Sequence, residues 1–141
     1  MRSCSTHSAD ETIALGVQLA SELPRRGVVL LIGNLGAGKT TLAKGIAMGL
    51  GVAQPDEISS PTFTLIHEYG EPVRLYHIDL YRIEEAAELA TLELEDLMDR
   101  DALVLIEWGE RFAHLMPKPR HEVRIERSGE SGRTVEVREI S

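Results

Sequence analysis

The chain has 141 residues, 43% of them hydrophobic, which suits one domain over residues 1–141 with a core of its own and no separate substrate domain. Its net charge of -8 and isoelectric point near 5.1 exclude a broad basic face for nucleic acid, and its single cysteine, Cys4, excludes an internal disulfide or a thiolate metal cluster. No apolar run approaches the roughly 20 residues of a membrane span, and the opening Met1-Arg2-Ser3-Cys4-Ser5 lacks the apolar core of a secretory signal, so a cytoplasmic protein without a membrane partner is expected.

Ser8 followed by Glu11 has the form of a capping box, and Ile13, Val17, Ala20 and Leu23 recur on one helical face, predicting a helix of about four turns. Pro24-Arg25-Arg26-Gly27 is a solvated turn into the run Val28 to Ile32, which reads as a strand covered on both faces. That strand empties into Gly33-Asn34-Leu35-Gly36-Ala37-Gly38-Lys39-Thr40-Thr41, the pattern G-x-x-x-x-G-K-[ST] of a phosphate-binding loop. The short pattern gains weight from its context, because a helix follows from Lys39 to Leu50 and stops at Gly51. Gly33, Gly36 and Gly38 let successive N–H groups converge on an anion, and the helix N-terminus adds its dipole. Lys39 is placed for the β- and γ-phosphates, the hydroxyl of Thr40 for a bridging Mg²⁺, and Thr41 for a weaker phosphate contact.

Downstream, Ser59-Ser60-Pro61-Thr62-Phe63-Thr64 reads either as a turn or as a segment that presents a threonine to Mg²⁺ and the γ-phosphate, as switch loops do. Phe63 to Tyr69 and Val73 to Asp79 are β-rich runs around Gly70-Glu71-Pro72, too close for a crossover helix, so an antiparallel hairpin is predicted. Asp79 is either a cap for a short helix over Ile83 to Leu89 or one of the carboxylates that a phosphate loop needs. The eight acids of Glu84 to Asp101 form a solvated helical face or a partner surface.

Ala102 to Ile106 is the second buried strand, delivering Glu107-Trp108 at its carboxyl end, where open α/β sheets bind ligands. An apolar strand ending in an acid is the form of the second nucleotide motif, with Glu107 in place of the more usual Asp. Trp108 is either core or part of a nucleotide site. A short helix over Gly109 to Leu115, a break at Pro117 and Pro119, and a terminal hairpin around a Ser128 to Gly132 turn complete the chain. His7, His67, His77, His114 and His121 have no ligand spacing and are read as structural. The fold class is therefore α/β: a three-layer sandwich like those of P-loop NTPases, with a mixed central sheet that contains an antiparallel hairpin.

Asn34 is the sole asparagine, so the Asn-Lys-x-Asp element by which GTPases read guanine is absent, and ATP is the expected nucleotide. No arginine-rich lid of the kind found in small-molecule kinases stands out, which favours water as the acceptor. Gly33-x-x-Gly36-x-Gly38-Lys39-Thr40-Thr41, Ser60 to Leu65, Tyr76-His77-Ile78-Asp79-Leu80-Tyr81-Arg82 and Leu105-Ile106-Glu107-Trp108, in this order, resemble the bacterial TsaE (YjeE) family over roughly Ser8 to Ile140. The resemblance implies a small ATPase that serves the machinery placing threonylcarbamoyl on the adenosine beside the anticodon, with TsaD and TsaB as partners and the transfer chemistry belonging to TsaD. It also implies that Lys39 binds phosphate, that Thr40 and Glu107 serve Mg²⁺, that Thr62 is the switch-like threonine and that Asp79 orients water. Asp79 and Glu107 can exchange roles, since sequence supplies neither distances nor pKa values. A small-molecule kinase and a nucleotide-gated binding module in which hydrolysis is incidental are the competing readings.

Overall fold

The computed structural model describes residues 2–59 and 65–141. All of the switch-like segment but Ser59, Thr62 included, lies outside the described residues. Seven strands form one sheet: β1 (Arg2–Thr6), β2 (Gly27–Ile32), β3 (Ile66–Tyr69), β4 (Leu75–Asp79), β5 (Leu103–Glu107), β6 (Arg120–Ser128) and β7 (Gly132–Ile140), in the order β1-β7-β6-β2-β5-β4-β3. The central strands β6, β2, β5 and β4 run parallel, whereas β3, β7 and β1 are antiparallel to their neighbours, so the mixed sheet and both predicted hairpins are present.

The unbroken apolar runs of β2 and β5 follow from burial on both faces. Val29, Leu31, Leu103 and Leu105 pack under helices α1 (Ala9–Glu22) and α2 (Lys39–Gly49). Val28, Leu30, Ile32, Val104 and Ile106 face the opposite layer, where α3 (Ala86–Leu89), α4 (Leu94–Met98) and a 3-10 turn over Gly109–Leu115 contribute Leu89, Leu94, Leu97 and Phe112. Each fully buried leucine or isoleucine contributes about 1.5–3 kcal/mol relative to exposure, so the two faces together fix the strands.

Helix α1 starts as predicted. Ser8 Oγ accepts from the Glu11 N–H at 3.1 Å, and the Glu11 carboxylate accepts from the His7 N–H at 3.0 Å. Its contact with α2 is made through backbone: a Cβ on Gly45 would stand 2.1 Å from Ile13 O, and one on Gly16 would stand 2.6 Å from Leu42 O. The phosphate-loop helix is thereby held tightly against its neighbour.

Three local expectations need correction. The helix predicted over Ile83 to Leu89 is only α3, starting at Ala86. The preceding carbonyls of Leu80, Tyr81 and Ile83 accept instead from the Arg111 guanidinium, at 3.3, 2.8 and 2.7 Å. Asp79 therefore caps no helix; it accepts from the Tyr81 N–H at 2.8 Å, and Glu85 caps α3. Residues Gly109–Leu115 form 3-10 structure broken at Phe112 rather than a regular helix. Strand β1 was not expected, because an edge strand reading Arg-Ser-Cys-Ser-Thr has no apolar alternation, and only Thr6 in it is buried.

The close approach of α1 and α2 gives a direct test. Gly45→Ala should destabilise the fold by about 1–3 kcal/mol, because its methyl must push Ile13 O away. Urea unfolding of the two proteins measures this; equal midpoints would contradict the packing.

Candidate functional site

Strand β2 ends at Ile32, and the chain turns sharply into the loop over Gly33. A Cβ on Gly33 would meet Ile125 O of β6 at 2.4 Å, so only glycine lets the loop leave the sheet here. Gly36 and Gly38 have φ of 79° and 108°, in the left-handed region that favours glycine, and α2 begins at Lys39. The result is a turn wrapped over a helix N-terminus, the geometry that gathers backbone N–H groups around an anion. Within it Ala37 N–H donates to Asn34 O at 3.0 Å.

Lys39 is only 5% exposed. Its Nζ donates to Gly33 O at 2.8 Å and stands 3.5 Å from the centre of the Trp108 ring. Burial lowers its pKa below the ordinary lysine value, against the opposing pull of Glu107, Glu110 and Asp79.

The acids arrive by sheet register. Asp79 of β4 pairs with Glu107 of β5, and Glu107 pairs with Leu31 of β2, so both carboxylates stand beside the end of the strand that feeds the loop. Paired residues project from the same face, and Leu31 packs under α1 and α2, so both acids project toward the layer that carries α2. Each is 3% exposed. Glu107 Oε2 is hydrogen-bonded to His77 Nε2 at 2.5 Å, and His77 is itself 1% exposed.

Trp108, at φ 66°, turns the chain so that its ring lies by Lys39 and 5.2 Å from the Tyr81 ring. These side chains, with Leu35, Gly36, Gly38, Thr40, Thr41 and Arg133, enclose a cavity of about 440 Å³. Ten of the predicted site residues thus shape or line one hollow: Leu35, Gly36, Gly38 to Thr41, Asp79, Glu107 and Trp108 on its wall, and Gly33 behind it. Asn34 and Ala37 set the turn from outside, and Thr62 lies outside the described residues. Sequence reasoning missed Tyr81, Arg133 and His77. The His-x-Asp spacing placed His77 and Asp79 on one face of a strand, which was the available signal for His77; a lone arginine after a turn gave none for Arg133.

Among the described residues no three of His, Cys, Asp and Glu converge as a metal cage. Among the described residues, the side-chain oxygens lining the cavity are the carboxylates of Asp79 and Glu107 and the hydroxyls of Thr40, Thr41 and Tyr81. That set suits a hard cation such as Mg²⁺, which takes one or two protein oxygens and completes its shell from phosphate and water.

The sheet order, the glycine loop and the acids at the strand ends define a P-loop NTPase fold. Residues 6–135 match the family described as Threonylcarbamoyl adenosine biosynthesis protein TsaE, and this chain belongs to the TsaE family. It is 46% identical over 110 residues to the tRNA threonylcarbamoyladenosine biosynthesis protein TsaE of Nostoc sp., covering 74% of this chain and 66%, just under two thirds, of that protein. Against the TsaE protein of Bacillus subtilis it is 37% identical over 131 residues, covering 92% of this chain and 80% of that one. The crystal structure of Bacillus subtilis YdiB superposes with a TM-score of 0.74 at 32% identity, over 95% of this chain and 82% of that one.

Glu110, half-buried near Lys39, has its pKa raised by burial, partly offset by Lys39, Arg124 and Arg111. A folded-state pKa above the unfolded value means that stability is lost as pH rises through the folded pKa and stays lost above it. Glu110→Gln should therefore be more stable than the wild type at pH 7, with an advantage that shrinks toward pH 4. Urea unfolding at both pH values checks this; an equal difference at the two would contradict the burial argument.

Proposed function

We propose that the chain is a Mg²⁺-dependent ATPase whose cycle supports the machinery that makes threonylcarbamoyladenosine in tRNA, acting on a TsaB–TsaD complex. The observation that carries the reading is the register Leu31–Glu107–Asp79, which sets two buried carboxylates beside a glycine loop and its lysine. Membership of the TsaE family supplies the pathway.

In this reading Lys39 exchanges Gly33 O for phosphate oxygens, so its buried ammonium trades a neutral partner for an anion. The backbone N–H groups from Gly36 to Thr40 hold the remaining charge of the β- and γ-phosphates. Thr40 and Glu107 serve Mg²⁺, which when bound neutralises charge developing on the bridging oxygens. His77 fixes the Glu107 carboxylate so that it does not reorganise during turnover. Asp79, tethered by the Tyr81 N–H, orients the attacking water. Trp108 covers Lys39 and keeps solvent from it. Thr62 is assigned to sensing the γ-phosphate. The protein belongs in the cytoplasm with its tRNA-modifying partners, and the -8 charge leaves tRNA contact to them.

The transferred phosphoryl needs a cation in the transition state, which partners lend in many phosphate-loop hydrolases for about 10³- to 10⁵-fold in rate. Phosphate release should therefore be slow for the isolated chain and rise at least about tenfold with purified TsaB–TsaD. Asp79→Asn should keep Mg-ATP binding, read as a melting shift, while losing turnover, and Lys39→Ala should lose the shift itself. A Mg-ATP melting shift of equal size in the Lys39→Ala protein, or turnover indifferent to both partners and Asp79, would contradict this function.

A further inference from the structure

Arg133 is the second residue of β7, and its backbone is pinned on both sides, opposite Thr6 of β1 and opposite Arg127 of β6. From that fixed base its side chain reaches the phosphate loop. Nε donates to Ala37 O at 2.6 Å and Nη1 to Gly132 O at 2.7 Å. Gly38 leaves room for this approach, since a Cβ there would already stand 3.3 Å from Nε. Arg133 is half-buried and lines the same cavity as Lys39 and the two acids.

The position within the sheet says which part of a ligand it meets. Asp79 and Glu107 come from β4 and β5, on one side of β2, whereas Arg133 comes from β7, beyond β6 on the other side. A nucleotide with its terminal phosphates at Lys39, facing the acids, has to lead its nucleoside away from that negative side, toward β6 and β7. Arginine grips phosphate through the N–H edges of its fork. Here Nε and Nη1 are bonded to main-chain carbonyls, which fixes the plane of the guanidinium against the loop and leaves its planar faces as a stacking surface. A planar cation face stacks on an aromatic ring.

On the nucleotide-binding reading above, we propose that Arg133 is the base-stacking residue of the site: its guanidinium packs face-on against the nucleobase while it keeps the bond to Ala37 O. A stacked face reads no hydrogen-bonding edge of the base. Arg133 therefore supplies affinity for a nucleoside without selecting among purines, and it ties the position of the base to the crest of the phosphate loop.

The test compares Mg-ATP with Mg-tripolyphosphate, which has the same number of phosphates and no nucleoside, by calorimetric titration of the full chain. Arg133→Ala should weaken Mg-ATP by about five- to thirtyfold, the range of a lost cation–π contact, and leave Mg-tripolyphosphate within about twofold. Arg133→Lys keeps the charge and a donor but has no flat face; it should lose most of the same Mg-ATP affinity and again spare tripolyphosphate, which covers the case in which the alanine variant folds poorly. Equal weakening of both ligands would make Arg133 a brace of the loop or a phosphate ligand and overturn the proposal, as would unchanged Mg-ATP affinity; in either case the wild type still binds and the phosphate-loop reading stands. A wild-type chain that binds neither ligand would overturn both readings together.

Discussion

The site depends on the alignment of three parallel strands. Residues Leu31, Glu107 and Asp79 are neighbours across β2, β5 and β4 because the leucines, isoleucines and valines behind them fit only one register. A slip of β5 by one residue would turn Leu103, Leu105 and Glu107 to the face now occupied by Val104 and Ile106. That would remove Glu107 from the α2 side and expose the core to mispacking at several positions at once. The apolar core therefore positions two carboxylates that are themselves costly to bury. The cost is reduced locally, by the Tyr81 N–H on Asp79 and by His77 on Glu107.

The same economy governs the loop. Lys39 Nζ donates to Gly33 O and lies against the Trp108 ring, so the lysine ties the start of the loop to the head of α2. Burial disfavours the ammonium form there, against the opposing pull of Glu107, Glu110 and Asp79. Arg133 donates to Ala37 O near the other end of the loop, and Gly33 closes against the backbone of β6. The phosphate loop thus lies between the strand that precedes it and the terminal hairpin, and α2 is locked to α1 at Gly16 and Gly45.

Much of this was legible from residue order because the chemistry is local. A glycine loop needs its lysine and threonine at fixed offsets, and a doubly buried strand must read as an apolar run, so β2, α2, β5 and the acid at the end of β5 could be placed. The hairpin β3–β4 followed from the lack of space for a crossover. What escaped is non-local. Strand β1 exists because β7 offers it an edge, and its own residues carry no alternation. Arg111 reshapes residues 80–83 from 28 or more positions away, which cut the predicted helix short. Arg133 meets Ala37 across 96 residues, a contact that no spacing rule contains. The pairing of His77 with Glu107 was hidden for the same reason, although both residues stood in motifs already singled out.

The central claim is that Lys39, Thr40 and the two strand-end acids form one Mg-nucleotide site. A crystal structure of the chain with Mg²⁺ and a non-hydrolysable ATP analogue tests it most directly. The account predicts Lys39 Nζ released from Gly33 O and bonded to the β- and γ-phosphates, with Mg²⁺ about 2.1 Å from Thr40 Oγ1 and the carboxylates of Glu107 and Asp79 at the metal and its water shell. A nucleotide bound elsewhere, with Lys39 still on Gly33 O, would contradict it.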